Sequence, residues 1–185
     1  MSMKVSALKD SGQIEQLKSY LVSMNKGSTL YHDVFIFLSY TGFRISDALS
    51  VKYAAIKGDS LEVKEQKTGK YRIIKLHPEV VKMINIRRKA HPTHVWLFEV
   101  ESNRAIGKAV SRQSVSKAFK EAGDRLGTKV GTHTGRKTLG YHIYQQSKDI
   151  GLVMKMLNHS SAAATQAYIG ISDSDVEKAM MNVKF

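Results

Sequence analysis

Thr132 to Gly170 reads THTGRKTLGYHIYQQSKDIGLVMKMLNHSSAAATQAYIG. Three runs with helical texture, 134–147, 149–157 and 161–168, are set apart by small or polar breaks, and a fourth, 173–182, follows Gly170 and Ser172, a residue suited to cap it. Upstream, Val115, Ala118, Phe119, Ala122 and Leu126 recur at helical spacing. Pro78 suits the first turn of a helix running to about Lys89. Before it the texture changes. YAAIK, SLEVKE and YRIIKL, separated by turns at Gly58-Asp59 and Lys67–Lys70, predict three short antiparallel strands with a lysine-rich tip. Two helices open the chain, one on Ile14, Leu17 and Leu21, the next on Leu30, Val34, Phe35 and Leu38. Tyr40, Thr41 and Gly42 interrupt the second, so Arg44 falls where a third helix begins. The fold class expected is α+β, a mostly helical domain with a small three-stranded antiparallel sheet on one edge.

Composition narrows the function. The chain has 185 residues, 42% of them apolar, enough for one core, and a single domain over 1–185 is expected. Cysteine is absent, which removes disulfides and thiolate metal sites and suits a reducing cytoplasm. The start, MSMKVSALKDSGQ, lacks the apolar run of a signal peptide, and no stretch approaches the ~18 apolar residues of a membrane span. Lys and Arg number 29 against 16 Asp and Glu, a formal charge of +13. That is the footprint of a polyanion binder, with a merely solvated basic surface as the plainer explanation.

Five stretches place basic or nucleophilic side chains beside helix starts or at a hairpin tip: TGFRISDALSV with Arg44, EQKTGKYRIIKL with Lys67, HTGRKTLGYH with His133 and Arg136, LNHSS with His159, and TQAYIG with Tyr168. Each alone is weak, and His-x-x-Arg by itself says almost nothing. Their order and spacing, with Tyr168 nine positions beyond His159, resemble the tyrosine recombinases of the phage integrase family over about residues 28–172. Two departures stand out. Asn158 occupies a place where many relatives carry Gly, and Gly135 stands where Leu is common, which predicts a loose first turn around Arg136.

The resemblance implies a catalytic domain that cuts and rejoins DNA through a 3′-phosphotyrosyl bond to Tyr168, leaving a free 5′ hydroxyl. The residue types suit that chemistry. Attack on a phosphodiester builds charge on its non-bridging oxygens, and the planar, always-charged forks of Arg44 and Arg136 answer it, with His159 a further donor. A phenol with pKa about 10 must lose its proton during attack, and His133 is the candidate base. Lys67 is the candidate acid for the leaving 5′ oxygen and Lys70 its rival; the register of YRIIKL against the family's strand favours Lys67. With so much fixed positive charge no metal or other cofactor is expected. Lys70, Arg72, Arg112 and Lys137 are expected at DNA phosphates.

Ordinary explanations exist for each residue. Arg44 and Asp47 would make a surface ion pair, the hairpin lysines would be solvated charges, His133, Arg136 and His159 would be polar helix-end residues, and Tyr168 would be a half-buried aromatic. A type IB topoisomerase-like enzyme, a non-catalytic DNA-binding regulator and an RNA-binding module are the rival functions; no aromatic RNP-like strand supports the last. The expected partner is double-stranded DNA carrying a specific recombination site. The chain is expected to form a homotetramer on that DNA, to be monomeric in isolation, and to be cytoplasmic and nucleoid-associated. An amino-terminal core-binding domain is expected to be absent. The terminal segment, with Val176, Ala179 and Met180 on one face, would dock either on a neighbouring protomer or on its own domain.

Overall fold

Leu30–Thr41 forms a helix that is buried on nearly all sides, and the other elements pack around it. A helix carrying DVFIFL through its middle has no polar face to give to solvent, so it becomes the centre of a core. The computed structural model describes residues 5–64, 71–101, 107–171 and 173–183. Its helices are α1 (Ser11–Ser23), α2 (Leu30–Thr41), α3 (Ile45–Leu49), α4 (Pro78–Ala90), α5 (Arg112–Leu126), α6 (Thr134–Ser147), α7 (Ile150–Leu157), α8 (Ala162–Ile169) and α9 (Asp173–Met181).

Leu17 and Leu21 of α1 are fully buried against this centre, as are Val115 and Phe119 of α5. Phe37 meets Phe43 and Phe98 edge-on, each at 5.5 Å between ring centroids, and Phe35 meets Phe119 at 6.0 Å. Burying each such ring or leucine contributes roughly 1.5–3 kcal/mol. Side-chain caps fix the helix starts. Asp10 accepts from the Gln13 N–H, His77 from Glu79, Ser111 from Ser114, Asp149 from Leu152 and Ser161 from Ala164. A smaller apolar cluster of Val153, Leu157 and Ile169 joins α7 and α8, with Tyr141 of α6 and Tyr168 packed against it.

The sheet is antiparallel in the order β1 (Ile56–Lys57), β2 (Ser60–Lys64), β3 (Tyr71–Lys75). Leu61, buried, pairs with Ile56 on one side and Ile74 on the other, whereas Ile73 and Tyr71 face solvent, the alternation expected of a half-covered sheet. YAAIK is a strand only in its last two residues. Tyr53–Ala55 is a short 3-10 turn, because the Tyr53 N–H is taken by the Val95 carbonyl and Ala55 closes back onto Lys52.

The first turn of α6 is not loose. A Cβ on Gly135 would lie 2.8 Å from Ser39 Oγ and 3.1 Å from Leu38 Cβ, so glycine here lets α6 press against α2. On another face of α6, a Cβ on Gly140 would lie 2.8 Å from Ile169 Cγ2 of α8. Glycine's cost in helix propensity is offset by two close helix contacts, and these set the position of the residues between them.

Candidate active site

Gly42 ends α2 with φ 64°, a left-handed turn open to glycine, and the chain turns through buried Phe43 to Arg44, the N-cap of α3. His133 is the corresponding N-cap of α6. Arg136, one turn into α6 and only 4% exposed, donates to the carbonyl of Gly42 from Nη1 and to that of Leu157 from Nη2. Its guanidinium thereby fastens the α2–α3 turn to the end of α7. Just past Leu157, Asn158 takes φ 51°. Asn enters this left-handed region more readily than other side chains, so it performs the turn that glycine performs elsewhere.

His159 follows that turn. Its Nδ1 lies 3.1 Å from Thr165 Oγ1, and Thr165 Oγ1 donates to the Ser161 carbonyl at 2.7 Å. The hydroxyl proton of Thr165 is therefore committed, which makes His159 Nδ1 the donor of its bond. Nε2 then offers an N–H to an anion only when the ring is an imidazolium. Thr165 is wholly buried, and nothing in a sixth-residue spacing marks a histidine's orienting partner in the sequence.

Tyr168, near the end of α8, has its Oη 3.2 Å from His133 Nδ1. The rings of His159 and His133 stand nearly perpendicular to its own, with centroids 5.0 and 6.3 Å away. Arg44, His133, Arg136, His159 and Tyr168 all line one cleft of about 400 Å³, together with Asn158, Ser160, Ser161 and Ala164. Burial, reinforced by the charges of Arg136, Arg112, Lys137 and Arg44, holds the His133 imidazole below the usual histidine range. Burial also pushes the Tyr168 phenol up, against the opposing pull of Arg136 and Arg44. At rest the pair is thus a neutral imidazole beside a neutral phenol.

The remaining expected residues separate. Lys67 and Lys70 lie outside the described residues, as does Ser172. Arg72 stands on β3 opposite Val63. Arg112, exposed at the start of α5, is close enough to disfavour protonation of His133. Lys137 lies largely inside the protein. Only 8% exposed, it puts its ammonium 2.9 Å from the Val5 carbonyl and 4.9 Å above the Tyr168 ring centroid.

Residues 10–175 match the phage integrase family. The chain is 35% identical over 181 residues to a probable integrase/recombinase, YoeC, of Bacillus subtilis, covering 97% of this chain and 96% of that one. It is 27% identical over 169 residues to the tyrosine recombinase XerA of Pyrococcus furiosus, covering 90% of this chain but 59% of the relative. Among solved structures, XerA recombinase superposes with a TM-score of 0.76 at 21% identity, over 100% of this chain and 66% of that one. A lambda integrase dimer bound to a COC′ core site superposes with a TM-score of 0.69 at 17% identity, over 93% of this chain and 51% of that one. The chain belongs to the phage integrase family and is a tyrosine recombinase. Among the described residues no helix is long and apolar enough to cross a membrane.

Proposed function

We propose that the cleft carries out site-specific DNA strand exchange, with Tyr168 as the nucleophile. Tyr168 Oη forms a bond to the scissile phosphorus while the bond to the 5′ oxygen breaks. The phenolic proton passes to His133 Nδ1, and Lys67 gives a proton to the departing 5′ oxygen, which leaves as a hydroxyl. Arg44, Arg136 and imidazolium His159 hold the non-bridging oxygens as charge builds on them. Reversal of these transfers on a second strand rejoins the DNA. Fixed cationic donors supply the stabilisation that a metal ion would otherwise provide, so the reaction runs in chelator.

The observation that carries this reading is the 3.2 Å approach of Tyr168 Oη to His133 Nδ1 in a cleft also lined by Arg44, Arg136 and His159. The formal charge of +13 supports double-stranded DNA as the partner. A tetramer on DNA is the working assembly we propose; one solved relative is a lambda integrase tetramer bound to a Holliday junction. In α9, Val176 is 51% and Met180 69% exposed, which favours docking on a neighbouring protomer over packing at home. We propose 1–185 as one catalytic domain working at the nucleoid.

The test uses nicked duplexes randomised around the scissile position, incubated in EDTA with wild type or Tyr168→Phe and resolved on a denaturing gel. A covalent adduct formed only by wild type is expected, and sequencing the trapped DNA gives the site. DNA binding without an adduct would overturn the reading in favour of a regulator. Adducts without sequence preference would point to a relaxing enzyme.

A further inference from the structure

We propose that Lys137 is a positioning residue for the nucleophile, a cation held over the Tyr168 ring by the chain segment at residues 5–8. This rests on Tyr168 being the nucleophile. The ammonium of a lysine that is only 8% exposed costs a great deal unless its lost hydration is replaced. Two contacts replace part of it here: the Val5 carbonyl at 2.9 Å and the π face of Tyr168 at 4.9 Å.

The carbonyl is itself placed by a strap. Leu8 is buried in the main core, its N–H donates to Thr138 Oγ1 at 2.9 Å, and its carbonyl accepts from His142 Nε2 at 3.1 Å. Gly131 makes room at the other end, since a Cβ there would lie 2.9 Å from Val5 Cγ1. Thr138 and His142 sit on α6 beyond Lys137, and Gly131 two residues before His133, so residues 5–8 run along the helix that carries the site.

A structural lysine would need only the carbonyl. Placement over the nucleophile's ring adds something a carbonyl does not. As Tyr168 attacks, its ring gains phenolate character, and the pull of a cation above the ring face strengthens. An interaction that is stronger in the transition state than at rest accelerates the step. The charged or titratable groups around this ring are Arg44, Arg136, His133 and His159 in the cleft and Lys137 across the ring face. The first four line the cleft, with His133 and His159 meeting the ring edge-on, and Lys137 is the cation that sits over its face.

Three variants separate charge from packing, read by single-turnover cleavage of the duplex recovered above. Lys137→Gln keeps an N–H for Val5 but no charge, and is expected to cleave about tenfold more slowly at neutral pH, ~1.4 kcal/mol. Its rate should rise more steeply toward alkaline pH than that of wild type, with DNA affinity unchanged. Lys137→Arg should stay within a few-fold of wild type. Lys137→Met tests loss of the Val5 bond as well, with thermal melting followed in parallel. Wild-type rate and pH profile in a folded Lys137→Gln would overturn the proposal, and so would equal losses in Gln and Arg variants, which mean packing alone. If wild type itself forms no Tyr168-dependent adduct, the parent reading has failed and this one falls with it.

Discussion

Arg87 and Arg136 are almost equally deep in the protein, 2% and 4% exposed, but they are held in different ways. Arg87 of α4 meets Asp33 at 2.9 Å and Glu101 at 3.2 Å, and its Nε donates to the Leu97 carbonyl at 3.0 Å. Its charge is answered within the fold, and it ties α4 to α2 and to the loop after Trp96. Arg136 is fastened through the carbonyls of Gly42 and Leu157, which orient a guanidinium without cancelling its charge. Its neighbours in the cleft include Arg44 and His133, so an anion arriving there meets positive potential already in place. A buried arginine opposed by carboxylates builds structure; one held by carbonyls beside other cations is, on the function proposed above, the group that receives a phosphate.

The contrast is most exposed to failure at Arg87. Arg87→Met leaves the Asp33 carboxylate buried without its cation and is expected to cost about 3–5 kcal/mol in urea unfolding. Cleavage per folded molecule should be unchanged. Arg136→Lys reverses the pattern: a point charge without the fork should lower single-turnover cleavage by about 10²–10³-fold, with a smaller loss of stability. Equal effects of the two variants on cleavage would break the distinction. Gly135→Ala, one residue from Arg136, forces α6 off α2 and is expected to cost about 1–3 kcal/mol by thermal or urea unfolding.

The smallest effect concerns pH. The His133 imidazole is held below its unfolded value, first by burial and then by Arg136, Arg112, Lys137 and Arg44. A depressed histidine contributes stability above about pH 6.5 that is lost as pH falls through the native value. Cleavage that needs neutral His133 should fall in the same direction, with its midpoint on the acid side of the usual histidine range. Removing one nearby cation from the surface, by Arg112→Ala, should move that midpoint upward. An acid limb that does not respond would detach His133 from the proton transfer.

Much of this architecture is legible in the residues themselves. The helix runs 134–147, 149–157 and 161–168 hold because each begins or ends on a side chain with a capping role or on a left-handed turn, signals that are local. The residues that share the cleft are legible because their chemistry narrows the choice: only arginine offers an always-charged fork, and the order of Arg44, Arg136, His159 and Tyr168 is specific. What escaped depends on contacts across the chain. Gly135 reads as a helix weakness until Ser39 is seen against it, and Lys137 reads as a surface charge until Val5 and Tyr168 enclose it. Thr165 has no sequence mark at all, and the Tyr53–Ala55 turn follows from a bond to Val95 more than forty residues away.

The fork of Arg136 joins the end of α2 to the end of α7, and the same group faces the cleft that would take the scissile phosphate. Folding and substrate capture are therefore linked equilibria. DNA that grips this guanidinium binds only where α2 and α7 have already met, so duplex present at a hundred times its Kd adds about 2.7 kcal/mol to the folded state. The melting temperature of the protein becomes a measure of its DNA site: at equal concentration, the more tightly a sequence is held, the further it rises.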